Sequence, residues 1–297
     1  MLLEGKVAVV TGSGRGVGRG IALALAREGA KVVINDVGCA VDGRGTEEDP
    51  AAQVVNEIKA LGGNAVANYD SVSDFNSAAN IIKTAIDSFG RIDILVNNAG
   101  IVRDRSINKM TEEDFDAVIA VHLKGSFNCG RHAVGFMREQ NYGRIINITS
   151  SAGLRGNFGQ SNYGAAKAGL MGLTLVWAVE LEKYGITVNA MAPAGWTRMV
   201  SGMPGMEKVK PAPDMDPDLN GPMIAYLASE KAAHVNGQVF GRRGFGYTLF
   251  QTPRPIAMMY KPGGLSASEV AANFDAVFGE HLQPVGLPRP KREEKKD

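Results

Sequence analysis

Residues 6–36 carry an order that few folds accommodate. Lys6–Thr11 is a short, apolar, β-branched run that stops at a glycine cluster, which reads as a buried parallel strand. Gly12-Ser-Gly-Arg-Gly-Val-Gly18 follows, then Ile21–Glu28 with helical spacing and Gly29 as its stop. Lys31–Asn35 is a second strand ending at Asp36. Strand, glycine turn, helix, strand and acidic residue make a βαβ unit of the length a dinucleotide site needs. Glycine lets a pyrophosphate approach the backbone N–H groups at the helix start.

The glycines are spaced G-x-x-x-G-x-G (Gly12, Gly16, Gly18), and no register gives the commoner G-x-G-x-x-G. Gly12, Ser13, Arg15, Gly16, Val17 and Gly18 are the candidate phosphate contacts of this turn. Asp36 stands where a carboxylate accepts hydrogen bonds from ribose hydroxyls and repels a 2′-phosphate, which favours NAD over NADP. Arg15 argues the other way if it pairs with a phosphate; the alternative is a solvated surface residue, and NADP is not excluded.

The alternation continues. Ala51–Leu61 reads as a helix, Asn64–Asn68 as a third strand, Asn76–Phe89 as an amphipathic helix, Ile92–Val96 as a fourth strand. A long helix opens at Thr111 and reaches about Met137. Gly143–Ile148 is the fifth strand, Ser161–Tyr184 a long helix and Ile186–Met191 the sixth strand. A helix near Gly221–Ser229 and a strand near Gln238–Phe240 complete the set. Such alternation with short turns predicts an α/β, doubly wound parallel sheet, Rossmann-like. Residues 1–245 are expected to form a single dinucleotide-binding catalytic domain. A C-terminal extension, 246–283, would pack on it, and 284–297 would be a disordered tail. Met199–Leu219 breaks the pattern. It is either a lid over the site, with Met199, Met203 and Met206 as adaptable apolar contacts, or an ordinary surface excursion.

Ligands of open α/β sheets bind along the carboxyl edge of the strands, and several side chains fall there. Asp70 either accepts from an adenine amino group or is an N-cap or turn aspartate. Asn97, Ala99 and Gly100 follow the fourth strand, and Asn97 either touches the cofactor or satisfies neighbouring backbone. Pro193 and Thr197 follow the sixth. Ser150 follows the fifth, with Tyr163 thirteen residues on and Lys167 four after that. On one helix, i,i+4 spacing puts Tyr163 and Lys167 on the same face. A phenol of pKa about 10 is a poor acid–base at neutral pH, and an ammonium one turn away favours the phenolate. With the Ser150 hydroxyl on the oxygen of an alcohol or carbonyl, the trio moves a proton on and off a carbinol oxygen.

Composition narrows the partners. A net charge of +1 with mixed signs gives no nucleic-acid or membrane bias. Cys39 and Cys129 lack disulfide-framework or metal-ligand spacing, so no metal is expected and a reduced compartment is the plain reading. No signal-peptide architecture, peroxisomal terminus or apolar run of about 18 residues stands out, so a cytoplasmic protein is expected.

The motifs Thr11-Gly12-x-x-x-Gly16-x-Gly18, Asn97-Asn98-Ala99-Gly100, Ser150 and Tyr163-x-x-x-Lys167 occur in order, and over nearly its whole length the sequence resembles the short-chain dehydrogenase/reductase family. The resemblance implies a nicotinamide-dependent oxidoreductase. Tyr163 would be its acid–base, Lys167 would bind the nicotinamide ribose and lower the tyrosine pKa, and Ser150 would orient the substrate. Asn35-Asp36-Val-Gly38, Arg103-Asp-Arg-Ser106, Val121-His-Leu-Lys-Gly-Ser-Phe127 and Gly156-Asn-Phe-Gly-Gln-Ser-Asn-Tyr163 look like the dehydrogenase unit of the peroxisomal multifunctional β-oxidation enzyme. That likeness implies NAD-dependent oxidation of a (3R)-hydroxyacyl-CoA, with a hydroxysteroid or other secondary alcohol as the alternative substrate. A nucleotide-sensing protein without turnover is the reading from another class. Two departures stand out: His122 where most of the family has asparagine, and Ala194 where it has glycine after Pro193. His122 either relays protons through water or is a packed core histidine. Helices 111–137 and 161–184 look too apolar to leave uncovered, which predicts a homodimer or homotetramer.

Overall fold

The computed structural model describes residues 1–45, 49–202, 206, 209–251 and 253–286. Seven parallel strands and one antiparallel edge strand form a single sheet with the order β3-β2-β1-β4-β5-β6-β7-β8. The strands are β1 Val7–Thr11, β2 Lys31–Asn35, β3 Ala65–Asn68, β4 Ile94–Asn97, β5 Gly143–Ile148, β6 Ile186–Ala192, β7 Val239–Arg243 and β8 Gly246–Phe250. β1, β4, β5 and β6 are buried at every position, as strands covered on both faces must be. On one face α1 (Gly16–Arg27), α2 (Pro50–Ala60) and α9 (Gly221–Leu227) share a core containing Ile21, Val54 and Ile224. On the other, α3 (Phe75–Phe89), α5 (Gly125–Gln140) and α7 (Ser161–Leu181) close over Ile81, Met137 and Leu95. The sheet is the doubly wound one expected. Its order reverses between β1 and β4, and the crevice at that reversal faces the carboxyl ends of the strands.

Local chemistry sets several boundaries. Asp49 and Asp74 cap α2 and α3 by accepting from Ala52 N and Ser77 N, and Gly90 closes α3 in the left-handed region at φ +80°. α1 starts at Gly16, earlier than the apolar spacing suggests, because the glycine turn itself supplies the first helical turn. Thr111 caps α4 (Glu112–Ile119) as expected, accepting from Asp114 N. The helix then widens into a π turn at Ala120–Lys124 before continuing as α5. His122 sits in that turn.

Three expectations need correction. The sheet runs past residue 245, because β8 pairs along β7 from Val239↔Phe250 to Arg243↔Gly246. The C-terminal helix α10 (Ala267–Phe278) adds nothing to the core. It buries no residue and stands on its own capping box, Ser266 with Glu269. Gly286 N–H donates to Arg155 O and so returns the segment to the body. Ser161–Tyr184 is also long and apolar enough by length and composition to cross a membrane, though no such run was expected. Its apolar residues are spread around the helix without an amphipathic stripe. The expected disordered tail from 287 onward lies outside the described residues.

Candidate active site

A cavity of about 610 Å³ opens at the carboxyl ends of β1, β4, β5 and β6. Its floor at β1 is the glycine turn. Gly12 sits at φ +60°, and a Cβ there would stand 2.6 Å from Ala99 Cα. A Cβ on Gly18 would stand 2.3 Å from Gly12 O, so only glycine allows this close approach. Gly12, Arg15, Gly16, Val17 and Gly18 line the cavity, and the N-cap residue Arg15 makes no side-chain capping bond to α1. The helix therefore offers its first N–H groups and the positive end of its dipole to a phosphate. Ser13 does not take part: its hydroxyl donates to Val10 O at 2.7 Å, its N–H donates to Asn35 O, and it is fully buried.

Asp36 lines the cavity and accepts from Gly14 N and Gly38 N, both at 2.9 Å. Each oxygen keeps lone pairs for another donor. Asp70 also lines it, accepting from Asn68 Nδ2 at 2.8 Å. The capping role weighed for Asp70 belongs to Asp74. Asn97 is buried away from the cavity and donates to Asn147 Oδ1 at 2.9 Å, which makes it structural. Its neighbour Asn98, which sequence reasoning did not single out, reaches across to β1. Asn98 Nδ2 donates to Thr11 O at 2.9 Å and to Gly12 O at 2.8 Å, fixing the glycine turn. Ala99, Gly100, Pro193 and Thr197 line the cavity as expected. Thr197 Cγ2 would stand 3.3 Å from a Cβ on Gly16, so the segment after β6 closes on the turn. Buried Arg242 holds that segment, donating to Ala194 O at 3.1 Å and Asp214 O at 2.7 Å. Of the Met-rich stretch, Met199 lines the cavity, Met206 does not, and Met203 lies outside the described residues.

β5 delivers Ser150, which caps the short helix α6 (Ser151–Arg155) by accepting from Ala152 N at 3.2 Å. α7 carries Tyr163 and Lys167 in its first two turns, and Ser150, Tyr163 and Lys167 all face the cavity. Burial holds the Tyr163 phenol above its ordinary pKa, and its hydrogen bond with Ser150 opposes that. The expected lowering by Lys167 is not what governs the phenol. The Lys167 Nζ lies 5.6 Å from the Tyr163 ring centre and donates to Ile148 O at 2.5 Å. Burial pushes the Lys167 ammonium down to about 7.

His122 is buried, with Nε2 2.7 Å from Ile101 O and 3.0 Å from Ile101 N. Burial first, then the Lys167 charge, pushes its pKa down to about 3. The ring is therefore neutral near neutral pH, and it lines the cavity while packing against Ile101. The Nε2–H tautomer makes the shorter bond, to Ile101 O, and leaves Nδ1 without a partner. The packed alternative is the one the structure supports.

The short chain dehydrogenase family model matches residues 6–203. The chain belongs to the short-chain dehydrogenase family. It is 48% identical over 251 residues to the peroxisomal multifunctional enzyme type 2 of Drosophila melanogaster, covering 83% of this chain and 40% of that one. It is 42% identical over 271 residues to a hydroxyacyl-CoA dehydrogenase of Mycobacterium tuberculosis, covering 84% and 81%. A crystal structure of a short chain dehydrogenase from Mycobacterium avium superposes with a TM-score of 0.85 at 43% identity, covering 97% of this chain and 99% of that one. The protein is thus an oxidoreductase with a nicotinamide cofactor, NAD or NADP, and the glycine cradle and uncapped α1 fit that group. When bound, the nicotinamide supplies the hydride acceptor or donor. Chemically, the arrangement offers the Ser150 hydroxyl to hold a carbinol oxygen and the Tyr163 Oη to take up or return its proton.

Proposed function

We propose that this short-chain dehydrogenase oxidises a (3R)-3-hydroxyacyl-CoA to the 3-oxoacyl-CoA with NAD. The observation that carries the NAD half is Asp36: its carboxylate directly follows β2 on the cavity wall, where it accepts from ribose hydroxyls and repels a 2′-phosphate. The acyl-CoA half is supported by the similarity to a hydroxyacyl-CoA dehydrogenase and by the apolar side chains Met199, Val200 and Met215, which line the same cavity as the proton-transfer group. Ser150 orients the hydroxyl, Tyr163 accepts its proton, and Lys167 holds the ribose and the proton's exit.

A spectrophotometric panel tests both halves: NAD and NADP against 3R-hydroxyacyl-CoA, 3S-hydroxyacyl-CoA and hydroxysteroids. NADH formation from the 3R thioester is the expected result. Turnover of a steroid alone transfers the proposal to that substrate, and turnover with NADP alone removes Asp36 as the selector. Tyr163→Phe is expected to lose turnover and keep cofactor binding. An output that persists in that variant would mark a nucleotide sensor.

The chain works as a homodimer or homotetramer in this reading. α7 is apolar on every side yet leaves Val176 and Val179 exposed, with Phe127 and Phe136 of α5 exposed as well. A second copy is the natural cover for such a surface.

A further inference from the structure

The connection from β2 to α2, residues 36–49, is far longer than the two to six residues that usually join a strand to a helix in such sheets. Its described first part does not stray from the site. Val37, Cys39, Ala40, Val41 and Gly43 line the same cavity as the glycine turn. Val41 O accepts from Val102 N at 3.0 Å, and Asp42 O accepts from Arg103 Nε at 2.9 Å. Val102 and Arg103 belong to the segment after β4. β2 and β4 flank β1 on opposite sides, about 10 Å apart. A chain that leaves β2 and bonds beyond β4 therefore crosses the carboxyl end of β1, where the phosphate-binding turn lies.

Arg103 is the junction. Its side chain is 11% exposed. Besides Asp42 O, the guanidinium meets Glu113 Oε1 at 3.0 Å, and Arg44 donates to that same oxygen at 2.9 Å. The Arg103 carbonyl accepts from Asn162 Nδ2 at 3.0 Å, and Asn162 Oδ1 accepts from Tyr163 N at 2.7 Å. One residue thus ties the crossing segment to the first turn of the helix that bears Tyr163.

The geometry points to residues 37–45 as a strap across the dinucleotide groove, latched by Arg103 as a positioning residue. A bound dinucleotide lies beneath the strap, so the strap must lift for cofactor to exchange. Arg103 sets how often it lifts and holds the closed strap in register with Tyr163. The inference rests on the family's nicotinamide cofactor and not on the acyl-CoA reading.

Stopped-flow fluorescence of bound NADH, with NADPH in parallel, tests it on the full chain. For Arg103→Ala, release of whichever nucleotide the wild type binds should accelerate about tenfold. The KM for cofactor should rise by a similar factor, and kcat should fall by less than about threefold. Arg103→Lys keeps the charge but cannot span Asp42 O and Glu113 together, so it should release cofactor nearly as fast as the alanine variant. Where Arg103→Ala fails to fold, Glu113→Gln removes the exposed carboxylate that Arg44 and Arg103 share and should quicken release roughly twofold. Unchanged release in the soluble variants overturns the strap. So does a kcat that collapses with KM unmoved, which would place Arg103 in the chemistry. Wild-type protein that binds neither nucleotide overturns the cofactor assignment and the strap with it.

Discussion

The His122 ring meets the Tyr163 ring edge-on, with centroids 5.1 Å apart and planes at 87°. Nε2 holds the backbone of Ile101 at the same time, and the π turn brings the ring there. Histidine therefore acts through packing, as a wall that fixes the tyrosine and the segment leading to Arg103. Gly100 fits against it because a Cβ would stand 2.3 Å from His122 Cε1.

From this contact, His122→Asn is expected to lower kcat about tenfold by freeing the Tyr163 ring. A ring whose pKa lies near 3 stays neutral across the assay range, so the acid limb of the kcat profile should not move. An acid limb that shifts on substitution would restore the proton-relay role.

Asn97 and Asn98 separate stability from cofactor binding. Asn97→Ala leaves Asn147 Oδ1 without its donor and should cost about 1–3 kcal/mol with cofactor affinity retained. Asn98→Ala releases Thr11 O and Gly12 O together and loosens the glycine turn. It should cost a similar stability and weaken cofactor binding about tenfold. Paired melts and cofactor titrations check this; equal affinity in the two variants would contradict it.

These two asparagines also mark how far the sequence could be read. The glycine turn, the β1–β6 order and the Tyr163/Lys167 pair were legible because each depends on residues a few positions apart. Which carboxamide faces the groove was not, since adjacent residues point to opposite sides and the register comes from pairing with β1 and β5. The π turn depends on a contact between His122 and Ile101, twenty-one residues apart in sequence. β8 escaped notice because its residues are exposed on both faces save Phe250, so no alternation marks it. The C-terminal helix stands on Ser266 and Glu269, and such local capping chemistry does not say whether a helix is covered.

The apolar flank of α7 gives a prediction about assembly. Val179 is 78% exposed in the single chain and lies on a helix with no polar face. Val179→Glu is expected to leave the fold intact, because the side chain meets solvent in the monomer, and to shift the light-scattering mass from dimer or tetramer toward monomer. A wild-type mass already equal to one chain, 31.5 kDa, would sink the proposed assembly.

Lys167 links catalysis to stability through its burial. Its ammonium is pushed down to about 7 from an ordinary 10.5. Between those values the unfolded chain binds a proton that the folded chain does not, so this residue makes stability rise with pH across that window. Below pH 7 both states carry the proton and the penalty is complete; above 10.5 neither does and the penalty is gone. Lys167→Met removes the penalty along with the bond to Ile148 O, worth about 1 kcal/mol. The variant should therefore melt higher than wild type at pH 6, with the gap narrowing by pH 9. Cys129, whose burial raises its thiol to about 12, and the buried tyrosines bend both curves alike, so the difference between the curves isolates Lys167. A gap independent of pH would mean that the folded chain keeps this ammonium charged at its ordinary pKa.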